Sequence, residues 1–267
     1  MDNLLTVRDL KKSFSRGVGV FTHGRKDVGF TAVDGVSFQV VQGETFAVVG
    51  ESGCGKTTLA RMLLRLIEPD SGEIRFAGRN LVAMVGEELR TQRRQMQMIF
   101  QDPFASLDPK MRVGEIVAEP LAIHEPKLPR AARWEQTVSI LKRVGLNEEA
   151  LRRYPHEFSG GQRQRIGIAR ALILRPKLIV ADEPVSALDV SVGAQVLLLL
   201  QELQREFALT YVFISHSLPV VAQMATRIAV MRAGRFVEIG LPEKVLHQPE
   251  DEYTRELLSA VPELPRA

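Results

Sequence analysis

Residues 50–57 read Gly50-Glu51-Ser52-Gly53-Cys54-Gly55-Lys56-Thr57, a glycine-rich turn closed by a lysine and a hydroxyl residue. Glycines at these offsets let the main chain curl so that successive N–H groups converge on phosphate oxygens, while Lys56 supplies a point charge and Thr57 an oxygen ligand for Mg²⁺. The stretch predicts a nucleoside triphosphate cradle, and its flanks agree. Thr45-Phe46-Ala47-Val48-Val49 is a short apolar run of the kind that forms a fully buried strand. Thr58 to Leu66 places Leu59, Met62, Leu63 and Leu66 on one helical face and ends near Pro69. Strand, loop and helix thus stand in the order a phosphate loop needs, and the helix start adds its own attraction for anions.

The chain of 267 residues is long enough for one elaborated domain or a core with a subdomain. A net charge of +3 with 25% charged residues is mildly basic. The short basic groupings, Arg90–Arg94, Lys127–Arg133 and Arg163 with Arg165, read as solvated faces rather than a nucleic-acid stripe. No continuous apolar run, Val196–Leu200 included, approaches the roughly 18 residues that cross a bilayer. The opening Met1-Asp2-Asn3 is not a basic segment followed by an apolar one, so a cytoplasmic location is expected. The single cysteine, Cys54, excludes an intrachain disulfide and any metal site built from several thiolates. Inside the phosphate loop it is either a thiol whose modification blocks nucleotide or a small residue filling a tolerant position.

Outward from the loop, Leu4–Val7 and Val36–Val41 are expected strands separated by an exposed glycine-dotted loop over 15–29. Glu73–Phe76 alternates before a turn at Ala77-Gly78. Between Asp102 and about Arg175, Pro103, Pro109, Pro120, Pro126 and Pro129 divide helix-like segments into a helical insertion, with Trp134, Val138, Leu141 and Val144 as a core-packing stripe. Beyond Lys177 strands and helices alternate: Leu178–Ala181, Val192–Phe207, Tyr211–Ile214 and Leu218–Ala225. Ile228–Met231 and Arg235–Ile239 then flank a hairpin signal at Ala233-Gly234. This alternation predicts a parallel α/β sheet with functional loops at the C-terminal ends of its strands.

At such an end stand Asp182 and Glu183. Two carboxylates leaving a buried strand are costly unless they face a cation or a water to be activated, so Asp182 is placed to hold Mg²⁺ and Glu183 to polarise the attacking water. His216 and Gln101 follow two other apolar strands and become candidates for the same reason. Phe158-Ser159-Gly160-Gly161-Gln162 precedes an arginine-rich helix, with Ser159 as its N-cap; the pentapeptide is either a plain cap or a second anion site.

The ordered set of GESGCGKT, Gln101, FSGGQ, LIVADE, Ser186-Ala187-Leu188-Asp189 and His216 resembles the nucleotide-binding subunit of ABC transporters, matching its Walker A, Q-loop, signature, Walker B, D-loop and H-loop in order. The resemblance implies a RecA-like P-loop NTPase core of α/β class, with an antiparallel β subdomain and a helical signature subdomain near residues 102–175. It implies an ATP-binding domain over 1–240 and a tail over 241–267. By resemblance, ATP is bound by Gly50, Glu51, Ser52, Gly53, Cys54, Gly55, Lys56, Thr57 and Thr58, with Phe14 looking like the aromatic that stacks on adenine, although an early Phe also suits a core. Mg²⁺ falls to Thr57, Gln101 and Asp182, catalysis to Glu183, His216 and Gln101, and the D-loop to Asp189. Ser159, Gly160, Gly161 and Gln162 would reach the ATP held by a second, identical or homologous, subunit. Phe158 stands where Leu is usual and Ser217 where Asp is usual; neither change removes a phosphate-contacting group.

Phe100-Gln101-Asp102-Pro103-Phe104-Ala105-Ser106-Leu107-Asp108-Pro109, Glu119-Pro120-Leu121 and Tyr253 through Pro262 look like the oligopeptide, dipeptide and nickel importer ATPases. The cysteine cluster of many such relatives is missing, and the short tail is closer to the nickel-type and shorter peptide-type subunits. The implied protein is the energy-coupling ATPase of a bacterial importer, peripheral at the cytoplasmic face of the inner membrane. Its partners would be permease subunits and a second ATP-binding subunit, with a solute-binding protein reached through the complex and no nucleic acid. The rival readings are a soluble ABC-type ATPase acting on nucleic acid or ribosomes, against which stand one cassette and no sustained heptads, and an exporter ATPase, against which stands the importer-type tail.

Overall fold

The computed structural model describes residues 3–15, 29–102 and 104–260. The expected loop over 15–29 lies almost wholly outside these, as do Pro103, Val261 and Pro262. The chain begins with β1 (Asn3–Phe14), β2 (Phe30–Val41), β3 (Thr45–Val49), α1 (Lys56–Leu63), β4 (Ser71–Phe76) and β5 (Arg79–Asn80). It continues through α2 (Gly86–Arg93), β6 (Met96–Ile99), α3 (Val113–His124), α4 (Arg130–Arg143), α5 (Gly160–Leu172), β7 (Leu178–Asp182), α6 (Val190–Phe207) and β8 (Thr210–Ile214). It closes with α7 (Leu218–Met224), β9 (Arg227–Arg232), β10 (Arg235–Gly240), α8 (Pro242–His247) and α9 (Glu252–Ser259). Two compact units result: residues 1–85 with 216–267, and residues 86–215.

In the first unit, an antiparallel sheet runs in the order β2-β1-β4-β5. Strands β1 and β2 are longer than their apolar cores predict. A bulge carries β1 past the break in its alternation: Asp9 sits at φ 45 and its N–H donates to the Ser37 hydroxyl at 2.8 Å. A second set of strands pairs β3 parallel to β9 and β10 antiparallel to β9. All five residues of β3 are buried, as a strand covered on both faces requires. Phe38 of β2 stacks on Phe46 of β3 with ring centroids 4.8 Å apart, and Phe236 of β10 meets both edge-on, so an aromatic cluster joins the two sets.

Helix α1 ends three residues before the expected Leu66. Arg65 takes a left-handed conformation, φ 52, and turns a buried guanidinium onto the carbonyls of Leu81 and Met84, where it also pairs with Glu68. Satisfying that buried fork outweighs one more helical turn. At the other end of the unit, α8 and α9 of the tail pack on β10.

In the second unit, β6, β7 and β8 form parallel pairs in the order β8-β7-β6. Helices α3, α4 and α5 fill the expected helical insertion and pack on one another. The predicted stripe on α4 is corrected in part. Leu141 and Val144 are buried, joined by Thr137 and Ile140, but Trp134 is 42% exposed and only lies along Gly114 of α3. One of the three basic groupings, Arg163 with Arg165, is also corrected. Arg163 donates to the carbonyls of Pro155 and His156, and Arg165 to that of Val144 at the end of α4, so both are structural clamps rather than solvated charges.

Candidate functional site

The phosphate loop spans the end of β3 and the start of α1. Gly50, Gly53 and Gly55 have φ of 151°, 82° and 113°, left-handed values that a side chain resists. Space also excludes side chains at two of them. A Cβ on Gly50 would stand 2.2 Å from the Met231 carbonyl oxygen, and one on Gly55 2.0 Å from that of Ala32. The loop is therefore pressed against main chain at both positions. No side chain caps α1, whose N-cap is Gly55 itself.

Lys56 is only 5% exposed, and its ammonium donates to the carbonyls of Gly50 at 2.7 Å and Glu51 at 2.8 Å. A buried cation held by loop carbonyls is a charge positioned for an anion, and the cradle fits a polyphosphate. Thr57 and Thr58 sit half-buried on the first turn of α1, with Glu51, Ser52 and Gly53 exposed on the loop. Phe14 is 41% exposed and pairs in register with Phe30, itself 51% exposed, which places it on the surface and not in the core.

Cys54 is buried, and burial pushes its thiol above the ordinary value although Lys56 pulls the other way. The structure thus favours the small-filler reading over the reactive one. Alkylation by a maleimide at neutral pH, followed by mass spectrometry, is expected to run at least about tenfold slower on the folded protein than on the unfolded chain. Equal rates would contradict it.

Two supports of the loop escape a sequence reading because they come from far along the chain. The Gly234 N–H in the β9–β10 turn donates to the Cys54 carbonyl at 2.9 Å. The Tyr253 hydroxyl of α9 accepts from the Glu51 N–H at 3.2 Å.

In the second unit, Asp182 ends β7 with 2% exposure, and Glu183 follows at φ 46. A left-handed non-glycine costs about 1–3 kcal/mol and marks places where geometry serves chemistry. The strain is held in place: the Glu183 N–H donates to the Ile214 carbonyl at 2.9 Å, and the Glu183 carbonyl accepts from the Ser186 hydroxyl at 3.1 Å. Gln101, just past β6, donates its side-chain amide to the Glu183 carboxylate at 3.3 Å. The structure thus joins Gln101 to Glu183 directly. His216, exposed in the first unit, follows β8 in sequence.

Ser159 caps α5 reciprocally. Its hydroxyl accepts from the Gln162 N–H at 3.3 Å, and the Gln162 side-chain oxygen accepts from the Ser159 N–H at 3.0 Å. Phe158 is buried with the Arg153 guanidinium 4.3 Å from its ring centroid, which explains how a Phe is accommodated there. Gly161 has a packing reason besides any ligand: a Cβ would lie 2.3 Å from Val192 of α6. Asp189 caps α6, accepting from the Val192 N–H at 2.9 Å, and this backbone hydrogen bond holds its carboxyl below the ordinary value. Arg163 and Arg170 of α5 stand 4.0 Å and 5.9 Å from the rings of Phe104 and Phe100, so the signature helix grips the segment around Gln101.

Residues 33–186 match the family described as ABC transporter. The oligopeptide transport ATP-binding protein OppF of Escherichia coli is 51% identical over 259 residues, 97% of this chain and 78% of that protein. The di/tripeptide transport ATP-binding protein DppF of Pseudomonas aeruginosa is 49% identical over 262 residues, 98% of this chain and 80% of that one. Among solved structures, the dimeric post-hydrolysis state of the ATP-binding cassette MJ0796 bound to ADP and Pi superposes with a TM-score of 0.77 at 27% identity, covering 89% of this chain and 98% of that one. A glycine-rich loop at the start of α1, then a capped helix α5 and an acidic strand end, and a profile match over more than half of its length, make one conclusion: the chain belongs to the ABC transporter family.

Proposed function

We propose that this protein is the ATP-hydrolysing, energy-coupling subunit of a bacterial importer for peptides or related small solutes. Among the described residues no helix is long and apolar enough to cross a membrane, so the path for solute must belong to permease partners. The observation that carries the reading is the phosphate loop, with no room for a side chain at Gly50 or Gly55 and a buried lysine held by loop carbonyls, in a chain about half identical to peptide-transport ATP-binding proteins. The subunit works at the cytoplasmic face of the membrane, and a solute-binding protein reaches it only through the complex.

In this reading Gly50 to Thr58 bind the phosphates of ATP, Lys56 neutralises them and Phe14 stacks on the base. The Thr57 hydroxyl, Gln101 and Asp182 would hold Mg²⁺, which would supply charge neutralisation to the phosphates. Glu183 takes the proton from the attacking water, Gln101 fixes the carboxylate that does so, and His216 orients the terminal phosphate. Ser159 to Gln162 reach the ATP bound by a second ATP-binding subunit, with Asp189 beside them. Closure follows from charge, because the triphosphate is fully neutralised only when both halves meet. The stacking of Arg163 and Arg170 on Phe104 and Phe100 gives the signature helix a grip on the segment that would pass this motion to the permease.

The test is to purify the membrane complex through this chain, identify its integral subunits and measure ATP hydrolysis with short peptides, Ni²⁺ or neither. Stimulation by peptide with a co-purified permease supports the proposal; hydrolysis indifferent to solute, in a preparation carrying ribosomes or nucleic acid, refutes it. A second test concerns pairing. Ser159→Arg puts a bulky cation where a partner's triphosphate must fit, so ATP-dependent association, read as mass by light scattering, is expected to be lost while ATP binding to each subunit survives. Undiminished association would remove Ser159 from the role.

A further inference from the structure

Helix α9 in the tail is fastened at its start with more care than a covering helix needs. The Glu238 carboxylate of β10, itself buried, accepts from the N–H groups of Glu250 at 3.0 Å and Asp251 at 3.2 Å. The Asp251 side chain then caps the helix by accepting from the Tyr253 N–H at 2.9 Å. These bonds fix the position of Tyr253, which is only 3% exposed, with the Arg232 guanidinium 4.7 Å from its ring centroid. Ring burial and the cation account for an aromatic here, but not for a hydroxyl. Among the described residues the hydroxyl accepts from the N–H of Glu51, the second residue of the phosphate loop.

The Glu51 residue is held on both sides. Its N–H is taken by Tyr253 and its carbonyl by the Lys56 ammonium. The second bond shares the ammonium with the Gly50 carbonyl, and the third Lys56 donor, 3.8 Å from the Cys54 sulfur, is the one a phosphate would take. The first does not depend on the ligand. Burial pushes the Tyr253 phenol above its ordinary value, so the hydroxyl stays neutral and available at physiological pH.

We propose that Tyr253 is a positioning residue of the nucleotide site, its hydroxyl anchoring the Glu51 amide so that the entrance of the phosphate loop keeps its shape when phosphate binds. The tail helix is by this inference part of the ATP-binding apparatus and not only a covering for β10. The inference rests on the reading of residues 50–57 as an ATP cradle.

Tyr253→Phe in the full chain removes the hydroxyl and leaves the ring, its burial and its cation in place. Loss of one hydrogen bond to the loop is expected to weaken Mg-ADP and Mg-ATP binding about fivefold by calorimetry. The loss should appear in KM for ATP rather than in kcat. Amide hydrogen exchange within 50–57 should quicken while the thermal midpoint of the nucleotide-free protein stays where it was. Parent-like affinity and parent-like exchange in the variant overturn the inference and leave the ATP reading standing, as does an affinity loss matched by a general fall in stability. A parent protein that binds neither nucleotide overturns both.

Discussion

Glu183→Gln is expected to keep ATP bound and to hydrolyse it about 10²–10⁴-fold more slowly, the usual contribution of a positioned general base. The substitution is nearly isosteric, so the left-handed backbone at φ 46 and its bonds to Ile214 and Ser186 are retained. What is lost is a carboxylate able to take a proton, while the amide oxygen that replaces it can still accept from Gln101. Single-turnover hydrolysis with equilibrium nucleotide binding measured on the same sample separates the two effects. Hydrolysis at the parent rate would assign the base to another residue.

Gly55→Ala is expected to abolish measurable nucleotide binding, a loss of more than about 100-fold. The added methyl would stand 2.0 Å from the Ala32 carbonyl oxygen and 2.9 Å from the Met231 side chain, at a φ of 113°. Met231 can move aside, but the carbonyl belongs to β2 and cannot, so the loop must shift outward and carry its amides with it. Gly53→Ala is the control. Its Cβ would meet nothing within 4 Å, leaving only the backbone penalty of φ 82, about 1–2 kcal/mol, or roughly tenfold in affinity. If both variants bind nucleotide equally, the close approach at Gly55 has no functional weight.

The strand, loop and helix over 45–63 were legible because their determinants are local. The uninterrupted apolar run of β3 and the glycine offsets of the loop each encode their conformation within a few residues. Elsewhere long-range contacts decided. Arg65 stops α1 because carbonyls from Leu81 and Met84 await its guanidinium, and the bulge at Asp9 extends β1 because Ser37 stands across from it. Trp134 carried an apolar period but lies at the margin of its packing, half in solvent. Tyr253 meets Glu51 across a separation of 202 residues, and no periodicity or spacing could announce that contact. The acid pair was readable as the end of β7, but the left-handed backbone at Glu183 and its bond from Gln101 are set by contacts distant in sequence.

The central claim is that the loop at 50–57, Glu183 and Ser159 serve one ATP held between two ATP-binding subunits. The most direct measurement is the identity and amount of nucleotide retained after gel filtration by the membrane complex carrying Glu183→Gln, alone and with Ser159→Arg added. The account predicts retention as uncleaved ATP in the first case and none in the second. Retained ADP formed at the parent rate, or equal retention of ATP with Ser159→Arg present, would contradict it.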